Sequence, residues 1–219
     1  MNIERTFLVG TEKLGLEMTP LQLEQCQVYL SELIRWNKKI NLTGLRDTKE
    51  IIVKHFLDSM IPLSYLKLKT GLNCMDLGSG GGFPGLVLKI MCPELKMTLV
   101  EPTQKKVSFL HHVIGLLDLK NVFVCDTRIN AVLRPLPEDA FDLLVSRALA
   151  PETVLSEGLS LAKEGGSFLF FQAKFDEAWW KKLIDKYPVL ELKRPYVTTL
   201  PFLNDARTLI SVRVGNASP

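Results

Sequence analysis

Cys74-Met-Asp-Leu-Gly-Ser-Gly-Gly-Gly-Phe-Pro-Gly85 is the stretch on which the fold turns. An apolar run reaches Asp76, a turn passes through Gly78, Gly80, Gly81 and Gly82, and a helix is predicted to start at Pro84. Glycine carries no Cβ, so it tolerates positive φ and lets a ligand approach the backbone. The amides exposed where a helix begins accept partial negative charge. Outward from this turn, short apolar runs alternate with helix-length segments. Strands are expected at 73–77, 97–100, 122–125, 141–145 and 167–171, and helices at 85–91, 107–117 and 154–162. That alternation predicts a parallel sheet covered by helices on both faces. The end differs. Residues 189–192 and 209–214 are β-rich with no amphipathic helix between them, which predicts an antiparallel pair closing the sheet edge.

Upstream, Thr19-Pro20 is a helix start, a cap followed by proline at the first helical position. Leu23, Cys26, Leu30, Leu33 and Ile34 follow at helical spacing, so a helix is expected through Trp36, then a loop over 37–46. Thr48 is read as the cap of a second helix carrying Ile51, Ile52, His55, Phe56 and Met60. The expected organisation is an N-terminal helical extension over 1–66 and a sheet domain over 67–219.

The chain has 219 residues, 27 Lys plus Arg against 24 Asp plus Glu, a net charge of +3, and 47% hydrophobic residues. This composition excludes disorder, collagen-like repeats and a disulfide scaffold. Cys26, Cys74, Cys92 and Cys125 lie far apart with no histidine at ligand spacing, so they read as small buried hydrophobes, and no metal is expected. No run of 18 apolar residues exists, so no membrane span is expected. The N-terminus has charges on both sides of a short apolar patch, unlike a signal peptide, and the cytoplasm is the expected compartment.

A lone glycine turn can be a bare strand–helix connection. Two acids argue for a nucleoside ligand: Asp76, just before the first glycine, and Glu101, which ends the next strand 19 residues after Gly82. A carboxylate there can take both ribose hydroxyls, which suits a dinucleotide or S-adenosylmethionine. Asp126, followed by Thr127, Arg128, Ile129 and Asn130, ends the third strand, where it either reads an adenine edge or is a solvated loop acid. Arg147 follows the strand 141–145 at the binding edge and is the candidate catalytic residue; the competing reading is a salt bridge to Asp142 or Asp76. His55 and Asp58 share a helical face. They either pack on the cofactor loop or touch RNA, or His55 is a satisfied core histidine. Lys38, Lys39, Arg46 and Lys54 gather near residues 41–44, with Lys105 and Lys106 after the second strand. They are either solvated or track a phosphate backbone. Trp179-Trp180 either stacks bases or belongs to a helix docked on the sheet.

DLGSGGGFPG, with NLTG and VKHFLDS before it and FDLLVSRALAP and FQAKF after it, resembles the bacterial small-subunit ribosomal RNA guanine-N(7)-methyltransferase family, from about Trp36 to Val212. The resemblance implies a Rossmann-like, S-adenosylmethionine-dependent methyltransferase fold, mostly parallel with an antiparallel closing strand. It also implies methylation of one guanosine in 16S ribosomal RNA, as free RNA or within the small ribosomal subunit, by an enzyme expected to be a monomer. Carried over by position, the cofactor contacts fall on Gly78, Phe83, Ile129, Asn130 and Arg147, joining Asp76, Gly80 and Glu101 from the reading above. The family usually has an acid where this chain has Asn130, so a charged contact is lost. Lys174 and Arg207 match basic positions expected to face RNA, with Lys38, Lys39 and Arg46. The rival functions are a small-molecule methyltransferase and an NAD-binding oxidoreductase.

Overall fold

The structure, a computed structural model, describes residues 2–132, 141–203 and 205–215. The chain opens with α1 (Ile3–Lys13) and α2 (Pro20–Ile40). The Thr19 side chain and Gln22 cap α2 reciprocally. This helix runs beyond the expected stop at Trp36. Asn37 stays helical because its amide is used in tertiary structure, bonding the Thr43 carbonyl and amide at 2.9 Å each. A second correction follows at Asp47, which caps the next segment in place of Thr48, accepting from the Glu50 N–H at 2.8 Å. That segment is composite: α3 (Thr48–Ile51), a π-helical stretch Ile52–Leu57, α4 (Asp58–Met60) and a 3₁₀ turn Ile61–Ser64.

The sheet then alternates with helices: β1 (Asn73–Leu77), α5 (Gly85–Met91), β2 (Lys96–Val100), α6 (Gln104–Leu116), β3 (Val122–Cys125), β4 (Phe141–Ser146), α7 (Pro151–Gly158) and β5 (Ala162–Gln172). After α8 (Glu177–Ile184) come β6 (Leu190–Leu192), β7 (Tyr196–Thr199) and β8 (Ala206–Val214). Strand order is β3-β2-β1-β4-β5-β8-β6, with β7 also on β8. The first five strands are parallel, and β8 is antiparallel to β5, β6 and β7. The predicted closing pair is therefore present, with β8 inserted between its partner β6 and the parallel sheet.

Side chains alternate across this sheet as the two-residue strand period requires. Cys74, Leu143, Val145, Leu169 and Phe171 join one core with Phe7, Tyr29, Leu33 and Phe56 from the N-terminal helices. Met75, Leu77, Leu144, Phe168 and Phe170 join the other with Val154, Leu155 and Trp180. Trp180 is buried and Trp179 partly exposed, so the tryptophan pair belongs to a helix docked on the sheet. Among the cysteines, Cys26 and Cys74 are buried, whereas Cys92 and Cys125 are half-exposed. The described residues include no helix long and apolar enough to cross a membrane.

Candidate active site

The carboxyl ends of β1, β2 and β4 open onto one cavity of about 560 Å³, within the range of ligand pockets. The glycine turn forms one wall. The Gly78 and Ser79 amides both donate to the Val100 carbonyl at 3.0 Å, which ties the turn to the end of β2. Glu101, almost fully buried, braces the turn further. Its Oε2 accepts from the Gly80 N–H and its Oε1 from the Thr103 N–H, both at 2.9 Å. Gly80 has φ +57°, and a Cβ there would meet nothing closer than the Gly78 carbonyl oxygen at 3.9 Å. The space above Gly80 is thus left open to the cavity. Gly82 is the reverse case: at φ +94° its missing Cβ makes room for the Tyr29 hydroxyl and Leu86.

Against the end of the turn packs a ring and ion cluster. Phe83 stacks on Tyr29 (centroids 5.1 Å, 7°) and on His55 (4.8 Å, 24°), with Phe56 edge-on at 5.2 Å. The Tyr29 hydroxyl donates to the Gly81 carbonyl. Arg147 lies over Phe83, its Cζ 5.4 Å from the ring centre. Its Nη1 donates to the Lys54 carbonyl at 3.2 Å and reaches Asp58 Oδ2 at 3.5 Å, and its Nη2 meets His55 Nδ1 at 3.2 Å. Asp58 is buried and also accepts from Arg207 Nε at 2.6 Å. Burial pushes the Asp58 pKa up, against the pull of Arg207 and Arg147.

Several expectations change here. Gly78, Gly80, Phe83, Glu101, Ile129 and Arg147 do line the cavity. Asp76 does not. Strand alternation turns it toward α5, where it is fully buried and its Oδ2 accepts from the Gly85 N–H at 2.8 Å. Burial pushes its pKa up to about 7. Its Oδ1 has no partner among the described residues. Asn130 is exposed in a 3₁₀ turn and points no wall at the cavity, where Thr127, Arg128 and Ile129 do. Asp126 is exposed and accepts from Gln104 Nε2 at 3.2 Å, the solvated alternative. Arg147 does form a salt bridge, but with Asp58 rather than Asp142 or Asp76. Arg207 is not a free cation facing solvent; its guanidinium is committed to Asp58. Several cavity residues escaped the sequence reading, among them Leu42, Leu149, Thr153 and Glu157, since isolated residues of these types carry no signal.

Lys38 and Lys39 at the end of α2, Arg46, and Lys105 at the start of α6 converge on a second, open concavity of about 670 Å³, with Asn37, Ile40 and Asn41. No acid among the described residues lines it. Leu42 and Lys106, the residues that follow Asn41 and Lys105, line the first cavity, so the two adjoin. Lys54, by contrast, pairs with Glu50 at 3.0 Å, and Lys174 is exposed and lines neither cavity. No cluster of three or more metal-ligating side chains occurs among the described residues.

An open glycine cradle, a carboxylate at the end of β2, apolar Val100, Ile129 and Leu149, and a guanidinium at the end of β4 fit the donor and acceptor set of S-adenosylmethionine. Fold and site together define a Rossmann-like, S-adenosylmethionine-dependent methyltransferase. The fold is shared with a SAM dependent methyltransferase from Aquifex aeolicus (TM-score 0.60, 18% identity, 80% of this chain and 97% of that one). A SAM-dependent O-methyltransferase from Thermotoga maritima shares it too (TM-score 0.57, 16% identity, 85% and 72%). Residues 22–211 match the family described as rRNA small subunit methyltransferase G, and the chain belongs to that family. Relatives bearing the name Ribosomal RNA small subunit methyltransferase G include one from Lachnoclostridium phytofermentans, 36% identical over 100% of this chain and 92% of its own. Another, from Staphylococcus epidermidis, is 39% identical over 74% of this chain and 69% of its own.

Proposed function

We propose that the protein transfers a methyl group from S-adenosylmethionine to ring nitrogen 7 of one guanosine in 16S ribosomal RNA. The observation that carries this reading is the convergence of the glycine turn, Glu101 and Arg147 on one cavity, in a chain of this family. When bound, S-adenosylmethionine supplies an electrophilic methyl on a sulfonium. Glu101 keeps lone pairs beyond those given to Gly80 and Thr103, and these would take the ribose hydroxyls. Gly78 and Gly80 would admit the ligand close to the backbone, Ile129 would pack on the base, and Arg147 would hold an acceptor group.

Guanine N7 has an in-plane lone pair and no proton, so the transfer needs alignment rather than a general base. Orientation of two bound partners supplies about 7–11 kcal/mol. Of the groups in the cavity, His55 has both ring nitrogens engaged and Glu101 has both oxygens engaged, so neither is spare as a base; Glu157, which also lines it, is not needed as one. RNA approaches across the concavity of Lys38, Lys39 and Arg46, with Lys174 as an outlying contact and Arg207 acting through Asp58. In this reading the enzyme works as a cytoplasmic monomer, residues 1–66 forming a helical extension to a methyltransferase domain over 67–219. Family membership sets aside the NAD oxidoreductase. The test is methyl transfer from labelled S-adenosylmethionine to naked 16S RNA, to intact small subunits and to small metabolites, with the modified nucleotide mapped by mass spectrometry. A 7-methylguanosine at one position is the expected product. Label on another atom, or only on metabolites, overturns the reading.

A further inference from the structure

Arginine has five N–H donors and no acceptor. Where its Nη2 meets His55 Nδ1 at 3.2 Å, the ring nitrogen must therefore accept. The proton of the imidazole then sits on Nε2, which donates to Thr43 Oγ1 at 2.7 Å; the same oxygen accepts from the Leu45 N–H at 3.1 Å. One tautomer is selected, and it is uncharged. Burial and the Arg147 charge push the His55 pKa down to about 3, in keeping with that assignment.

The backbone makes the arrangement possible. His55 lies in the π-helical stretch Ile52–Leu57, a widened turn of the kind that recurs at functional sites. From it the Lys54 carbonyl and the His55 ring both reach Arg147, while Asp58 closes the remaining side. His55 also lines the cavity and stacks on Phe83, which a satisfied core histidine would not need to do. Of the five Arg147 donors, three meet these partners. The Nε–H and one Nη2–H have none among the described residues, on a side chain that lines the cavity. Two adjacent donors of that kind suit a carboxylate.

We propose that His55 is a positioning residue for Arg147: a neutral imidazole, anchored by Thr43 and laid on Phe83, whose Nδ1 holds the guanidinium so that its free donors face a carboxylate in the cofactor cavity. The proposal rests on the reading of Arg147 as a ligand contact. The test is calorimetric titration with S-adenosylhomocysteine, which has the same carboxylate and no methyl to transfer. Arg147→Ala is expected to weaken binding by at least about tenfold. His55→Phe keeps a ring on Phe83 but offers no acceptor, and is expected to weaken binding by a similar factor. His55→Asn returns an acceptor near the Nδ1 position and is expected to bind within about threefold of the wild type. Wild-type affinity in Arg147→Ala would remove the underlying reading. Loss in Arg147→Ala with wild-type affinity in a folded His55→Phe would overturn the proposal alone, as would a folded His55→Asn as weak as His55→Phe. Nitrogen NMR of the wild-type ring needs no variant: Nε2 protonated and Nδ1 bare is expected, and a protonated Nδ1 overturns the proposal.

Discussion

Gly80 and Glu101 show how a single residue is asked for two things at once. Glu101 has the position expected of a ribose-binding acid, yet its carboxylate also accepts the Gly80 and Thr103 amides. The sequence showed the acid but not the brace, because the brace depends on how the turn folds back over β2. At Gly80 the backbone is left-handed, a conformation that costs an L-residue about 1–2 kcal/mol. None of the described residues fills the space its Cβ would take. Gly80→Ala is therefore expected to remain folded, with a stability loss of about that size, while affinity for S-adenosylmethionine falls at least about tenfold, since the methyl occupies the cradle. Calorimetry alongside urea unfolding checks both halves. A variant that binds normally would take this part of the turn out of the site.

At the scale of the element, α2 is tied to the glycine turn, because Tyr29 on it reaches into that turn. A Cβ at Gly82 would lie 2.5 Å from the Tyr29 hydroxyl and 2.6 Å from Leu86 Cδ1. Gly82→Ala adds this overpacking to left-handed strain, so a loss of roughly 2–5 kcal/mol is expected on urea unfolding, in contrast to Gly80→Ala. An equal cost at the two glycines would mean that the helix yields freely. The same elements explain what was legible in the sequence. The parallel strands β1, β2, β4 and β5 announced themselves because each holds a short apolar run buried on both faces, and β3, at the sheet edge with Phe123 exposed, by its apolar run alone. In contrast, α1 was hidden by exposed Ile3 and Leu8, and β7 by its exposed Val197, which blur any apolar period. The α3–π–α4 segment reads as one ordinary helix, since a shift from α to π winding leaves no mark in composition. His55 was readable only as one of two alternatives because its partners Thr43, Phe83 and Arg147 come from three other places in the chain.

At the scale of the whole molecule the charges act through salt and pH. Lys38, Lys39 and Arg46 share a concavity with no acid among the described residues, so RNA bound there would release counterions, at about 0.7–0.9 per phosphate neutralised. Replacing all three with Gln is expected to flatten the slope of log affinity against log salt by up to about 2–3, with cofactor affinity unchanged; an unaltered slope would move the RNA path elsewhere. The pH dependence sets two buried groups, His55 and Asp76, against each other. His55 titrates near 6.5 when unfolded and about 3 when folded, so its contribution is present above pH 6.5 and is lost as the pH falls toward 3. Asp76 titrates near 3.8 when unfolded and about 7 when folded, so its contribution is present below pH 3.8 and is lost as the pH rises through 7. Between these limits the unfolded chain binds one proton at His55 that the folded protein refuses, and the folded protein keeps one at Asp76 that the unfolded chain releases. Each slope is about 1.4 kcal/mol per pH unit and their signs oppose, so the pair nearly cancels. Asp76→Asn breaks the balance while keeping an acceptor for the Gly85 amide. The variant should gain stability relative to the wild type as pH rises from about 4 to 7, by up to about 1.4 kcal/mol per unit, in urea unfolding followed across that range. A difference that does not vary with pH would mean that Asp76 is ionised in the folded protein, with the Arg147 charge outweighing the cost of its burial.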